Sequence, residues 1–290
     1  MNQQNTPSDY FPDEIFKAYD VRGIVDSALT TTITRKIGQA FGSEARSRGV
    51  DSVIIARDGR LSGPALSSAL SEGLRASGCD VIDVGMVPTP TLYFATYELG
   101  TGTGIMITGS HNPPEYNGLK MVMAGETLAG ERIQELKQRI LTEQYSTGAG
   151  ALSEIDIKPA YVKRILSEGN LSRELHAVVD CGNGVASEIA PELLSELGCK
   201  ITPLYCNTDG NFPNHHPDPS RPDTLADLIS TMHETGADIG LAFDGDGDRL
   251  GVVTPDGKII WPDRQLILYA RDVLKRTPGA HIIYLSLIHI

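Results

Sequence analysis

Two stretches of this sequence concentrate residue types that do chemistry. The run Asp244–Arg249, DGDGDR, alternates three carboxylates with glycine. Along an extended segment, residues i, i+2 and i+4 point to the same side. Three like charges held side by side repel unless a cation occupies the space between them. All-oxygen ligands favour Mg²⁺, Mn²⁺ or Ca²⁺ over zinc or copper. An EF-hand loop counted from Asp244 would need glycine where Arg249 stands and glutamate where Pro255 stands, so that motif is excluded. Asp244, Asp246 and Asp248 are therefore candidate metal ligands.

The second stretch is Thr108–Lys120, TGSHNPPEYNGLK. Pro113 and Pro114 forbid a helix and bias Asn112 towards an extended backbone. Gly109 removes a side chain beside Ser110, so an exposed, closely approachable hydroxyl is expected. His111 is a candidate base and Lys120 a candidate cation. A polar turn without chemistry is the competing reading.

Two weaker segments flank these. Phe16–Gly23, FKAYDVRG, offers Tyr19 and Arg22 to an anion, and Arg57–Arg60, RDGR, reads first as structural. A metal triplet with an exposed serine implies phosphoryl transfer, in which a cation offsets charge on the moving group. No GxxxxGK[ST] is present, nor GxGxxG after a strand, which argues against P-loop and dinucleotide-binding folds.

The elements that must position these residues alternate in type. Strand patterns fall at Ser52–Ala56, Asp80–Val84, Gly104–Thr108 and Leu119–Met123. Helical patterns fall at Pro64–Ala76, with Leu66, Ala69, Leu70, Gly73 and Leu74 on one stripe, and at Ala129–Leu141. A small-residue loop, Ser146–Ser153, and an amphipathic stretch, Pro159–Ser167, mark a boundary. The pattern restarts with strand Leu175–Asp180, a helix around Pro191–Leu197 and strand Lys200–Tyr205. A Pro-rich loop, Cys206–Pro222, precedes a helix that Asp223 is expected to cap, with Leu225, Leu228, Ile229 and Met232 on its apolar face. Strands follow at Asp238–Phe243 and Arg249–Thr254, then helix Asp263–Arg276 and strand His281–Tyr284.

Strands alternating with helices imply an α/β class: tandem three-layer α/β/α modules with mixed, largely parallel sheets. The expected division is a mobile arm at 1–13, a serine-loop domain at 14–155, a metal-loop domain at 156–255 and an incomplete third module at 256–290. Residues 285–290 (LSLIHI) read as non-native.

Composition bounds the function. The 290 residues suit two domains of about 150. Lys plus Arg number 25 against 37 Asp plus Glu, a net charge of −12, and no basic run appears, which argues against nucleic-acid binding. No apolar run is long enough for a membrane span and the N-terminal residues do not resemble a secretory signal, so a cytoplasmic location is expected. The four cysteines lack zinc-site spacing and read as reduced thiols.

Taken together and in this order, FKAYDVRG, TGSHNPPEYNGLK and DGDGDR resemble the α-D-phosphohexomutases, in the bacterial phosphomannomutase/phosphoglucomutase branch, from about Ile15 to Tyr284. The run TGSHNP, with Gly109 before Ser110 and Tyr116 before Asn117, favours that branch over the phosphoglucosamine mutases, which usually show an Ala before the Ser and an Asp before the Asn. The resemblance implies that Ser110 carries a phosphate. It implies that Asp244, Asp246 and Asp248 hold Mg²⁺, with a phosphoserine oxygen of Ser110 completing the site. Tyr19, Arg22, His111, Lys120 and Arg249 then match positions lining the cleft. The implied reaction interconverts hexose 6-phosphate and hexose 1-phosphate, of mannose and also glucose, through a bisphosphorylated sugar. The general base is either Lys120, with its pKa lowered by neighbouring cations, or a group from a third domain. The family's sugar-recognition and distal phosphate loops are not in these residues, so a truncated chain with little turnover is expected. The alternatives are a Mg²⁺-dependent phosphosugar phosphatase of haloacid-dehalogenase type, or an inactive fragment that binds Mg²⁺ and phosphosugar.

Overall fold

The computed structural model describes residues 11–284. Residues 1–10 of the expected arm, and the whole of 285–290, lie outside the described residues. The arm's last residues are anchored: the Phe11 ring stacks on Phe16 at 5.6 Å, and Asp13 pairs with Lys137 at 2.9 Å.

The first module runs β1 (Val21–Ile24), α1 (Thr31–Ser47), β2 (Ser52–Arg57), α2 (Gly63–Ala76), β3 (Asp80–Met86), α3 (Thr89–Glu98), β4 (Gly104–Ile107), β5 (Tyr116–Met123), β6 (Glu126–Thr127), α4 (Glu131–Leu141) and β7 (Leu152–Glu154). Its strands lie in the order β1-β5-β4-β2-β3-β7, with β6 beside β5. The β4-β2-β3-β7 block is parallel, and β5 is antiparallel to both its neighbours in that order. Strand β2 shows why there are three layers. Val53 and Ile55 join the core under α1, α2 and α4, while Ile54 and Ala56 join the core under α3. Apolar side chains on both faces of a strand require cover on both sides.

The second module runs α5 (Lys158–Leu166), β8 (His176–Asp180), α6 (Ala190–Glu196), β9 (Lys200–Leu204), α7 (Ala226–Thr235), β10 (Ile239–Phe243), β11 (Leu250–Val253) and β12 (Ile259–Ile260), followed by α8 (Pro262–Arg276). The sheet order is β12-β11-β10-β8-β9, parallel across β10-β8-β9 and antiparallel at β11 and β12. Val178 faces Leu228 and Met232 of α7, and its neighbours Ala177 and Val179 face Ala190 of α6.

Several elements differ from the sequence expectations. Helices α1 and α3 were not anticipated. In α1, Thr31, Thr32, Thr34, Gly38 and Gly42 are weak helix formers, and tertiary packing decides. Thr30 caps it, its Oγ1 accepting the Ile33 N–H at 3.2 Å. Strand β7 enters the expected Ser146–Ser153 loop because β3 offers it an edge. Asp223 does not cap α7: it lies in a 3-10 turn, Pro222–Leu225, and pairs with Arg221 at 2.6 Å. His281–Tyr284 forms no strand among the described residues. Helix α8 forms as expected, but only Gln265 is buried in it, and Ile267, Leu274 and the following Ile282 stay exposed while Leu266 is half-covered. Among the described residues no helix is long and apolar enough to cross a membrane, and all four cysteines are free thiols.

Helices α1 and α2 approach closely because glycines line their crossing. A Cβ on Gly73 would stand 2.0 Å from the Arg35 carbonyl oxygen. Alanine should gain about 1 kcal/mol in helix propensity yet lose about 1–3 kcal/mol to overpacking. Gly73→Ala is expected to lower the urea midpoint; a raised midpoint would refute the close crossing. A second prediction concerns pH. His215 Nε2 meets Asp180 Oδ2 at 2.9 Å, and its Nδ1 meets the His216 carbonyl at 3.0 Å. Burial alone would lower the imidazole pKa, but Asp180 outweighs it and the net shift is upward. A raised folded pKa contributes stability that is complete below the unfolded value of 6.5 and fades as pH rises through the folded value. Urea unfolding across this range should show that loss in the wild type and not in His215→Gln; parallel curves would refute it.

Candidate active site

The chemical residues gather at the carboxyl ends of parallel strands, where open α/β sheets hold ligands. The Gly109–Asn112 turn leaves β4, Asp58 follows β2, and Asp244–Asp248 follows β10. Lys120 reaches in from β5, whose register sets it opposite Met106. The two modules meet here.

Ser110 sits at φ +51°, in the left-handed region that disfavours an L residue. Its N–H is taken by Thr108 Oγ1 at 2.7 Å, and its carbonyl by Arg60 Nη2 at 2.8 Å. That backbone turns the hydroxyl towards the second module, where it donates to Asp244 Oδ2 at 3.0 Å. His111 Nδ1 lies 3.3 Å from Ser110 Oγ. Contrary to the sequence expectation, Ser110 is only 2% exposed. The acidic loop covers it, and a Cβ on Gly245 would stand 2.4 Å from the Ser110 carbonyl. The role expected for Gly109 also changes: the space its missing Cβ leaves holds Arg60, whose Cζ would be 2.4 Å from that Cβ.

The carboxylates of Asp244, Asp246 and Asp248 present oxygens within 4.8 Å of one another. They converge through a tight turn rather than an extended segment. Gly247 takes φ +71°, and Asp244 Oδ1 accepts the N–H groups of Asp248 and Arg249 at 3.1 and 3.0 Å. Asp246 Oδ2 is held by Thr89 Oγ1 and Lys120 Nζ, both at 2.6 Å. Burial, then the charges of Asp246 and Asp248, push the Asp244 carboxyl well above the usual range. Burial also works against the Asp246 charge, but Lys120 outweighs it and the net shift is downward. Asp246 Oδ1 is buried and has no hydrogen-bond partner. A buried anionic oxygen without a donor, in an all-oxygen cluster of like charges, fits a hard cation.

The remaining sequence candidates divide. Lys120 bridges Asp246 and Asp248. Burial lowers its pKa, but these two carboxylates outweigh that and the net shift is upward. The side chains that Lys120 meets here are carboxylates. Arg249 stands 3.9 Å from Asp244 and remains half-exposed. His111 is pushed towards its neutral form by burial, then by Arg249. Arg22 braces the serine turn, donating to Asn112 Oδ1 at 2.6 Å and to the Gly109 carbonyl at 3.3 Å, and pairs with Asp20. Tyr19 is 79% exposed. Sequence reasoning missed Thr89, which carried no motif. It also underrated RDGR: Asp58 and Arg60 are 1% exposed and lie against the serine turn.

Residues 13–147 match the family description phosphoglucomutase/phosphomannomutase, alpha/beta/alpha domain I, and residues 159–257 match domain II of the same family. The chain belongs to the phosphoglucomutase/phosphomannomutase family. A phosphomannomutase/phosphoglucomutase of Pseudomonas aeruginosa strain PAO1 is 55% identical over 273 residues, covering 94% of this chain and 59% of that protein. A phosphoglucomutase of Neisseria meningitidis serogroup B is 51% identical, covering 93% and 59%. The crystal structure of a phosphoglucomutase/phosphomannomutase family protein from Burkholderia thailandensis superposes with a TM-score of 0.91 at 53% identity, covering 93% of this chain and 61% of that one. The chain thus spans about three fifths of the length of these relatives.

If the acidic turn is a cation site, Asp246→Asn should weaken Mg²⁺ binding in calorimetric titration at least about tenfold, since even outer-shell partners cost 10–100-fold. Unchanged affinity would place the ion elsewhere.

Proposed function

We propose that this chain supplies the phosphoserine and metal modules of a phosphohexomutase, interconverting hexose 6-phosphate and hexose 1-phosphate of mannose and glucose, in the cytoplasm. The division at 14–155 and 156–255 then separates the phosphate carrier from the metal loop. The contact of Ser110 Oγ with Asp244 Oδ2 at 3.0 Å, inside the acidic cluster, carries this reading.

In the proposed reaction phosphorylated Ser110 gives its phosphoryl group to the free hydroxyl of the sugar phosphate. The bond from phosphorus to Ser110 Oγ breaks, a bond to the sugar oxygen forms, and a base takes the hydroxyl proton. The bisphosphorylated sugar then returns its other phosphate to Ser110. The serine phosphate brings a charge of about −1.5 to −2. Asp244, Asp246, Asp248 and the serine phosphate would hold Mg²⁺, which when bound supplies positive charge against the phosphoryl oxygens. Lys120, held cationic by its two carboxylates, and Arg249, on the open side of the cluster, add fixed positive charge. His111 can accept the Ser110 hydroxyl proton when phosphate arrives and return it to Oγ when phosphate leaves. The sugar hydroxyl's base is either Lys120, once a cation on Asp246 and Asp248 weakens their hold on its proton, or a group beyond these modules.

A groove of about 850 Å³ opens beside Asp248 and Arg249, with Trp261, Leu266 and Ile283 on its walls. This apolar wall is the natural seat of further chain, and the relatives' greater length supports that. A dehalogenase-type phosphatase would use a carboxylate as nucleophile, whereas here the carboxylates surround a serine.

The test is formation of mannose 6-phosphate from mannose 1-phosphate, with a trace of hexose bisphosphate. A version extended to the relatives' length should turn over at least about a hundredfold faster than the 290-residue chain, because remote binding energy positions the reacting groups. Ser110→Ala should reduce both to background. Full activity in that variant would refute the assignment.

A further inference from the structure

We propose that Arg60, held by Asp58, is the positioning residue that fixes Ser110 for phosphoryl transfer; this rests on the phosphoserine reading above. Its guanidinium fills five bonds. Nε meets Asp58 Oδ2 at 3.2 Å. Nη1 donates to the carbonyls of Pro113 at 2.6 Å and Tyr116 at 3.0 Å, and Nη2 to those of Ser110 at 2.8 Å and Asn112 at 2.7 Å. One planar group thereby holds four carbonyls between Ser110 and the start of β5 at Tyr116. Asp58 completes the grip: its Oδ2 accepts the Gly109 N–H at 3.2 Å, and its Oδ1 accepts the Arg60 N–H at 3.0 Å.

Burial of this charge needs a reason beyond folding a surface turn. Arg60 is the largest fully buried side chain in the described structure. A buried ion pair is weak support for stability, since desolvation opposes it. What the pair does supply is geometry. Ser110 occupies a backbone region costing an L residue about 1–2 kcal/mol, and it relaxes unless its neighbours hold it. Arg60 engages the carbonyl of Ser110 itself, and Gly109 gives the guanidinium the room it needs. Lysine cannot replace this fork: a single ammonium has no rigid plane of donors.

The second module also reaches the clamp. The Phe212 ring lies 5.2 Å from Arg60 Cζ, and Gly210 packs so closely that a Cβ there would stand 2.9 Å from Arg60 Cα. The loop that carries Phe212 also carries Pro217, which lies against Gly245 in the acidic turn. Arg60 therefore sits where the serine turn and the second module are fixed relative to each other.

The experiment uses the 290-residue chain and its Arg60→Lys and Arg60→Ala variants. Amide hydrogen exchange reads the turn directly. In Arg60→Lys the amides of residues 109–116 should exchange at least about tenfold faster, while those of β2 and β4 keep their protection. Unchanged exchange in the turn, or loss of protection throughout the first module, would overturn the positioning role. The second readout is transfer of labelled phosphate from glucose 1,6-bisphosphate to Ser110, located by peptide mapping. Arg60→Lys should slow maximal transfer by about a hundredfold, as expected for an ångström-scale misplacement, with little change in half-saturating bisphosphate. Added guanidinium should restore transfer to Arg60→Ala but not to Ser110→Ala. A wild-type chain that accepts no phosphate would refute the phosphoserine reading, and the exchange result would still judge the clamp. Full transfer by Arg60→Lys beside a labelled wild type would refute the clamp alone.

Discussion

The site depends on one constraint: the Ser110 hydroxyl has to meet the acidic turn of a different module. In that contact Ser110 holds a left-handed backbone, at φ +51°. The conformation is opposed by sterics of about 1–2 kcal/mol, so the surrounding structure must over-determine it. It does so from three sides. Thr108 takes the Ser110 N–H, Arg60 takes its carbonyl, and Gly245 presses backbone against that carbonyl from the second module. Each of these supports sits at the end of a parallel strand. The sheet order β5-β4-β2 sets Lys120, the serine turn and the Asp58–Arg60 pair side by side.

Charge is the second organising term. Three carboxylates in one small turn repel, and two of them are fully buried. Without a cation the cluster is balanced by the Lys120 ammonium, by the Thr89 hydroxyl and by backbone N–H groups on Asp244. One oxygen, Asp246 Oδ1, is left without a donor. Burial first, and then the neighbouring anions, displace the Asp244 carboxyl upward, while the Lys120 ammonium, which burial opposes, is displaced upward because Asp246 and Asp248 stabilise it. A divalent cation would relieve both the repulsion and the orphaned oxygen.

Much of this was legible in the residues. Alternating strand and helix patterns identified the three-layer class, because strands such as β2 carry apolar residues on both faces. DGDGDR announced its carboxylates by composition, although the turn that gathers them differs from the extended segment expected. Less visible were features set by tertiary packing. Helix α1 is rich in threonine and glycine, and its glycines make sense only against α2. The burial of Ser110 depends on a loop 134 residues away in sequence. Arg60 looked structural because nothing local shows four carbonyls converging on it. Tyr19 came to attention through a motif, yet its ring remains in solvent.

The central claim is that Ser110 is a phosphate carrier assembled against a divalent cation site. The most direct measurement is mass-spectrometric peptide mapping after incubation with glucose 1,6-bisphosphate, with and without Mg²⁺. The account predicts one phosphate per chain, on Ser110, that depends on Mg²⁺ and is absent from Asp244→Asn. Phosphate on another residue, or none on Ser110 in the presence of Mg²⁺, would contradict it.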